Sequence, residues 1–320
     1  MWESFPGRWD SIWAGVLFAC ALLYEGAIRW LPAPSPLSNA PWKRGRPAFY
    51  SGLLLSYAAL GSPLAPMAHH SFSVQMLRLS LLCWFAPILV LPGLPPGLLG
   101  PLAGGRWRRA VFSFLTHPAI ALISFHLTFF IVFYPPVFDA LASRPLPWAI
   151  AEGLLVLTAY LMWFPVFPPL RGWERLNEWK KMIYLTISAL LLTPVSFWLL
   201  FADVSLYHVY ETATNPFALD PVTEQKIAGA WMKLVQVFLF GGTLTYWFFR
   251  WVRKEQRKEP LSRKTAEKEA VARLLLNQRV ALGKEVSSSE NRSPKKRRKS
   301  SPKVISLPDR RQKKNPRIDP

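Results

Sequence analysis

"SFSVQMLRLSLLCWFAPILVLPGLPP", Ser71 to Pro96, decides how the rest of the chain is read. Its one charged residue is Arg78, near the start of an otherwise apolar run. Runs of about 18 or more apolar residues read as membrane-spanning helices, because backbone polar groups must find partners inside the bilayer. Similar runs recur near 11–31, 48–65, 118–136, 147–169, 182–202 and 227–251, with Trp and Tyr near their ends. Prolines in "GSPLAP" interrupt the end of the 48–65 run. The expected fold is therefore an all-α, polytopic membrane protein with seven transmembrane helices. A soluble chain of 320 residues would form about two domains; lipid organises this one instead.

Loop charge sets the expected orientation. One side carries Arg29, Lys43, Arg44 and Arg46, then Arg106, Arg108 and Arg109, then Arg171, Arg175, Lys180, Lys181 and the tail. The other carries "SPLAPMAHHSFS" without Lys or Arg, Asp139 with Arg144, and a loop holding Asp203, Glu211, Asp220 and Glu224. Basic loops stay in the cytoplasm, which predicts the N-terminus outside and the C-terminus in the cytoplasm. "MWESFPGRWD" lacks the basic start and small-residue cleavage site of a signal peptide, so the first apolar segment is expected to remain.

Residues 1–253 form the expected membrane domain and 254–320 a basic, largely disordered cytoplasmic tail. From Arg253 onward there are 22 basic and 8 acidic residues, which supply +14 of the formal +20 charge. The spacing of Val271, Leu274, Leu275 and Leu282 after Ser262 predicts a surface helix over 262–283. "KKRRK" beyond it would suit nucleic acid in a soluble protein. On a membrane protein it reads as attraction to anionic lipid headgroups or plain solvation, with no nucleic acid.

Cys20 and Cys83 are far apart and form no C-x-x-C pair, which argues against a thiol redox or thiolate copper site. Phosphate loops, nucleophile elbows and H-E-x-x-H are absent, so nothing reads as an enzyme. Polar residues gather instead at the predicted outer ends. Arg78 lies about one turn down the third span and Glu152 a similar distance down the fifth. The two could pair, or each could snorkel separately to headgroups. His69 and His70 stand in the loop before the third span with Met67 and Met76 nearby, and His208 follows the sixth. Imidazole and thioether suit copper, and a solvated histidine doublet is the alternative. His126 lies inside the fourth span, where it could bond a neighbouring helix or, with Gln75, Arg78 and Glu152, line a polar path.

The stretch from Ala48 to Pro96 resembles the CtaG family of cytochrome c oxidase assembly factors. That family has a helix ending in S-P-L, then one of the form H-M-x-Q-H-x-L-L ending in A-P and G-x-P. Ser62, Pro63 and Leu64 fit the first part; Met76, Leu81, Leu82, Ala86, Pro87, Gly93 and Pro95 fit the second. "PPVFDAL", which contains Asp139, and "LMWFPVF" resemble two later segments. "TEQKIAGAWMKL" is similar to D-Q-x-x-A-G-x-x-M through Gln225, Ala228, Gly229 and Met232. The resemblance covers about 10–253 in unbroken order. It implies a bacterial, multi-pass cell-membrane factor that contacts cytochrome c oxidase subunits and assists copper delivery. The family's histidine positions fall here on Gln75, Leu79, Phe133 and Glu152, with Arg78 at the glutamine of H-x-x-Q-H. Copper through the usual ligands is thereby replaced by two expectations: an Arg78–Glu152 pair, or a substitute site from His69, His70, Met67, Met76 and His208. Three function classes stay open: oxidase assembly factor, copper or cation permease, and metal-free membrane scaffold.

Overall fold

The computed structural model describes residues 9–30, 41–95, 105–169, 174–212 and 215–290. Every regular element among them is helical. In chain order these are α1 (Ser11–Trp30), α2 (Pro41–Leu60), the short α3 (Leu64–Ala68), α4 (Phe72–Gly93), α5 (Arg106–Leu115) and α6 (Pro118–Val132). There follow α7 (Pro135–Ala142), α8 (Pro145–Trp163), α9 (Glu178–Phe201), α10 (His208–Glu211) and α11 (Pro221–Glu290). Compact packing divides the chain into Met1–Gln256 and Arg257–Pro320. The predicted helix at 262–283 falls within α11, with Val271, Leu274 and Leu275 exposed. The tail from 291 onward lies outside the described residues.

Among the described residues, seven spans are not clearly present. The helices α1, α4, α8, α9 and the Pro221–Arg257 part of α11 are long and apolar enough to cross a bilayer. A sixth span results if α5 and α6, bent by 62° at their junction, count together. Pro118 explains the bend, because it starts α6 after an extended His117. The missing span is α2. Lys43, Arg44 and Arg46 occupy its first turns, leaving an uncharged stretch of about 20 Å, short of the roughly 30 Å hydrocarbon core.

Helix α4 is the centre of the bundle: 72% of its apolar length is buried inside the protein, against 11% of α1. A helix apolar all round is one that other helices surround. Its end crosses α2 backbone to backbone. A Cβ on Gly45 would lie 2.6 Å from Pro92 O, and one on Gly93 would lie 2.6 Å from Gly45 O. Only glycine admits that approach. Tyr24 of α1 closes the junction by donating to Gly93 O at 3.0 Å.

Pro87 shapes the middle of α4. It has no N–H to give the carbonyl four residues earlier, that of Cys83. The turn over Leu81–Phe85 widens to π geometry, and Ala86 N bonds back to Leu81 O. Trp163 of α8, fully buried, donates its Nε1–H to Cys83 O at 3.2 Å and satisfies the freed carbonyl. The extra residue of a π turn rotates the helix face by about 100°. Met76 and Leu79 thus join the buried core with α6 and α8, while Val90 joins Tyr24 and Phe49 of α1 and α2.

Candidate functional site

One end of the bundle collects the short helices α3, α7 and α10 with the starts of α4, α8 and α11. Three hydrogen-bonded joints hold it. Ser62 ends α2 by donating to Ala58 O, while its Oγ accepts from Leu64 N at 3.2 Å, so Ser62 and Pro63 turn the chain into α3. Asp139 of α7 accepts from His208 N and Val209 N, each at 3.2 Å, and so caps α10. Gln225 of α11 is buried, accepts from Leu206 N at 2.9 Å and reaches the carbonyls of Leu199 and Val204.

The remaining family positions on α11 pack against α9. A Cβ on Gly229 would meet Leu199 Cβ, Leu200 N and Ser196 O, all at 2.9 Å. Ala228 and Met232 on the same face are fully buried. These motif residues therefore set helix contact rather than chemistry.

Inside this end lies a charged pair. Arg78 Nη2 of α4 and Glu152 Oε1 of α8 are 2.5 Å apart, with side chains 6% and 13% exposed. The contact is ionic rather than an aligned hydrogen bond. Arg78 Nε, and Gln75 Nε2 one turn earlier, are buried donors without a hydrogen-bond partner among the described residues. Phe133, at a family histidine position, is instead buried in an aromatic cluster with Phe129, Phe138, Trp148 and Tyr207. Leu79, at another, belongs to the same core.

The imidazoles do not converge. His69 faces the pair: desolvation, and then the positive charge of Arg78, hold its ring below the usual histidine range. His70 follows it on the exposed turn after α3. His208 is exposed at the start of α10 and its Nδ1 lies 3.2 Å from Glu211 Oε2, which raises its pKa. Met76 is 3% exposed and lines a small apolar cavity with Leu79, Cys83, Phe129 and Leu155. Met67, partly buried, stays with the doublet on α3. His126 belongs to a different contact. Its Nδ1 lies 2.8 Å from Leu122 O, and its Nε2 lies 3.1 Å from Ser188 O and 3.3 Å from Ser188 Oγ. Each ring nitrogen faces a backbone carbonyl, one on its own helix and one on the neighbour, so the imidazole ties α6 to α9. Among the described residues, no three His, Cys, Asp or Glu side chains are grouped to hold a metal.

One buried anion escaped the sequence reading. Glu224, counted there as loop charge, is 2% exposed and accepts from Ser71 and Ser73 through Oε1 and from Asn215 through Oε2. Ser71 is also the cap of α4, its Oγ accepting from Val74 N. The S-F-S opening of that helix was the available signal. A carboxylate beside a helix N-terminus is favoured by the helix dipole.

The architecture is thus a helical membrane bundle with an ionic site at one end. Over residues 22–254 the chain matches the family model described as cytochrome c oxidase caa3 assembly factor, Caa3_CtaG, and it belongs to that family. No curated protein and no solved structure matches it.

Proposed function

We propose that this chain assists maturation of a haem–copper cytochrome c oxidase from within a bacterial cell membrane, with the Arg78–Glu152 end facing the extracytoplasmic side. The observation that carries the reading is the buried pair at two positions of the family's polar cluster, on a chain that otherwise keeps the family's packing motifs. A buried pair need not add stability, since desolvation offsets its Coulomb gain. Its use is to fix the register of α4 against α8 and keep that end polar for oxidase subunits. The basic tail from Arg253 adds attraction to anionic headgroups on the opposite face, about 1 kcal/mol per residue near the surface. Deleting the gene should lower oxidase activity while oxidase subunits are still made, and the wild-type gene should restore it. Normal oxidase with altered cellular cation content would favour a permease instead. Labelling single cysteines placed at 69–70 and in the tail tests the orientation; labelling from the same side overturns it.

A second reading, copper delivery, rests on His69, His70 and Met67. Desolvation and the Arg78 charge lower the pKa of His69, which favours the neutral ring that binds metals, although the same charge opposes a cation there and Glu152 offsets it only in part. Copper titration of the purified protein and of H69A/H70A decides it: unchanged stoichiometry and affinity remove the doublet as a site.

A further inference from the structure

The final span carries an ionisable residue that no part of the assembly reading uses. Lys233 lies seven residues beyond Lys226 on α11, about 10 Å further along the axis. Lys226 pairs with Asp203 at 3.2 Å, which marks the polar end. The ammonium of Lys233 does not turn back toward that end. Its Nζ donates to Thr193 Oγ1 at 2.8 Å and to Gln236 Oε1 at 3.4 Å, and it lies 5.2 Å from the centre of the Phe197 ring. Gln236 is a turn further from Lys226, and Thr193 is eight residues, or about 12 Å, short of the end of α9 at Phe201. Contacts on both sides hold the charge at this depth of the span, so snorkelling does not account for it.

Its partners are all neutral. Thr193 passes its own hydroxyl hydrogen to Ala189 O at 2.9 Å, and the Gln236 amide donates to the same carbonyl. Among the described residues, no carboxylate forms an ion pair with Lys233. Charges in spans are costly and ordinarily paired. Lys233 is also only partly covered, and along the two helices beside it Leu190, Phe197 and Phe201 on α9 and Leu234 and Val237 on α11 are exposed. At helical spacing these make an apolar seam with one cation in it.

We propose that this seam docks one transmembrane helix of an oxidase subunit under assembly, a helix carrying an Asp or Glu at the depth of Lys233. The inference rests on the assembly reading above and adds the contact surface. Lipid phosphate is a poorer match, because it sits at the headgroup level and the ammonium is held by Thr193 and Gln236 inside the span. A second copy of this chain is also a poor match: of the acids in its own spans, Glu25, Glu152 and Glu178 are paired with Arg46, Arg78 and Lys254, and Glu224 is held by Ser71, Ser73 and Asn215.

Two experiments test it. The full chain is reconstituted in phosphatidylcholine vesicles with a synthetic Leu–Ala helix carrying one central Glu, or Gln in its place, and association is read by energy transfer. The Glu helix should bind at least about threefold tighter, the scale of one interhelical polar contact in lipid. That preference should vanish in K233Q and persist in K233R. Equal binding of both helices, a preference that survives K233Q, or lysine-dependent self-association of the chain would overturn the proposal. In the deletion strain, K233Q should leave oxidase activity low and K233R should restore it. Full restoration by K233Q overturns the docking seam alone, whereas normal oxidase in the deletion strain itself overturns the assembly reading.

Discussion

Breaking the Arg78–Glu152 pair from either side should cost far more than removing both charges together. The side chains are 6% and 13% exposed, so solvent screens them little. Unpairing a buried charge costs about 3–5 kcal/mol. Arg78 lies six residues into α4, about 9 Å from its start, close enough to regain some water, which places E152M at about 3 kcal/mol. R78M leaves the Glu152 carboxylate, the more exposed of the two partners, without its counter-charge, so about 2 kcal/mol is expected. The R78M/E152M double variant removes the desolvation cost along with the attraction and should lie within about 1 kcal/mol of wild type. The coupling is then roughly 4 kcal/mol, measurable as a double-mutant cycle by reversible unfolding in mixed micelles. A double variant destabilised by the sum of the singles, roughly 5 kcal/mol, would refute the claim that the charges are each other's principal partner.

Other substitutions probe the joints. W163F leaves Cys83 O without its donor and should cost about 1–3 kcal/mol; in a P87A background, where α4 supplies its own amide, the loss should shrink below about 1 kcal/mol. G229A forces a methyl against Leu199, Leu200 and Ser196 and should lower stability by about 1–3 kcal/mol, read by thermal unfolding. Histidine NMR should show His208 titrating above about 6.5 and returning toward it in E211Q, and His69 titrating below that value. The signs differ accordingly. The His208–Glu211 contact stabilises fully below about pH 6.5 and fades as pH rises through the raised pKa, whereas the uncharged His69 makes stability fall on acidification below about pH 6.5.

Much of the charged site was legible because helix ends are legible. Arg78 and Glu152 sit at similar depths in two predicted spans, and a bilayer forces such charges toward a partner or water. The motif around Gln225, Gly229 and Met232 was visible as a pattern, but its meaning as a contact with α9 needed the neighbouring backbone at 2.9 Å. Glu224 and Lys233 were passed over for one reason. Sequence assigns a charge to a loop or a span, and cannot say which side chains from distant segments surround it. The same limit explains the copper candidates: His208 lies 138 residues from His70 in the chain, and only folding shows it turning to Glu211.

The amino-acid order alone determined that this is a helical membrane protein of the CtaG pattern, because apolar length, loop charge and motif order are properties of the chain taken segment by segment. Which helices are long enough to cross, that α4 stands at the centre with Pro87 answered by Trp163, and which polar groups meet were decided by tertiary structure. Those outcomes depend on distances between residues tens to hundreds of positions apart, and packing sets such distances.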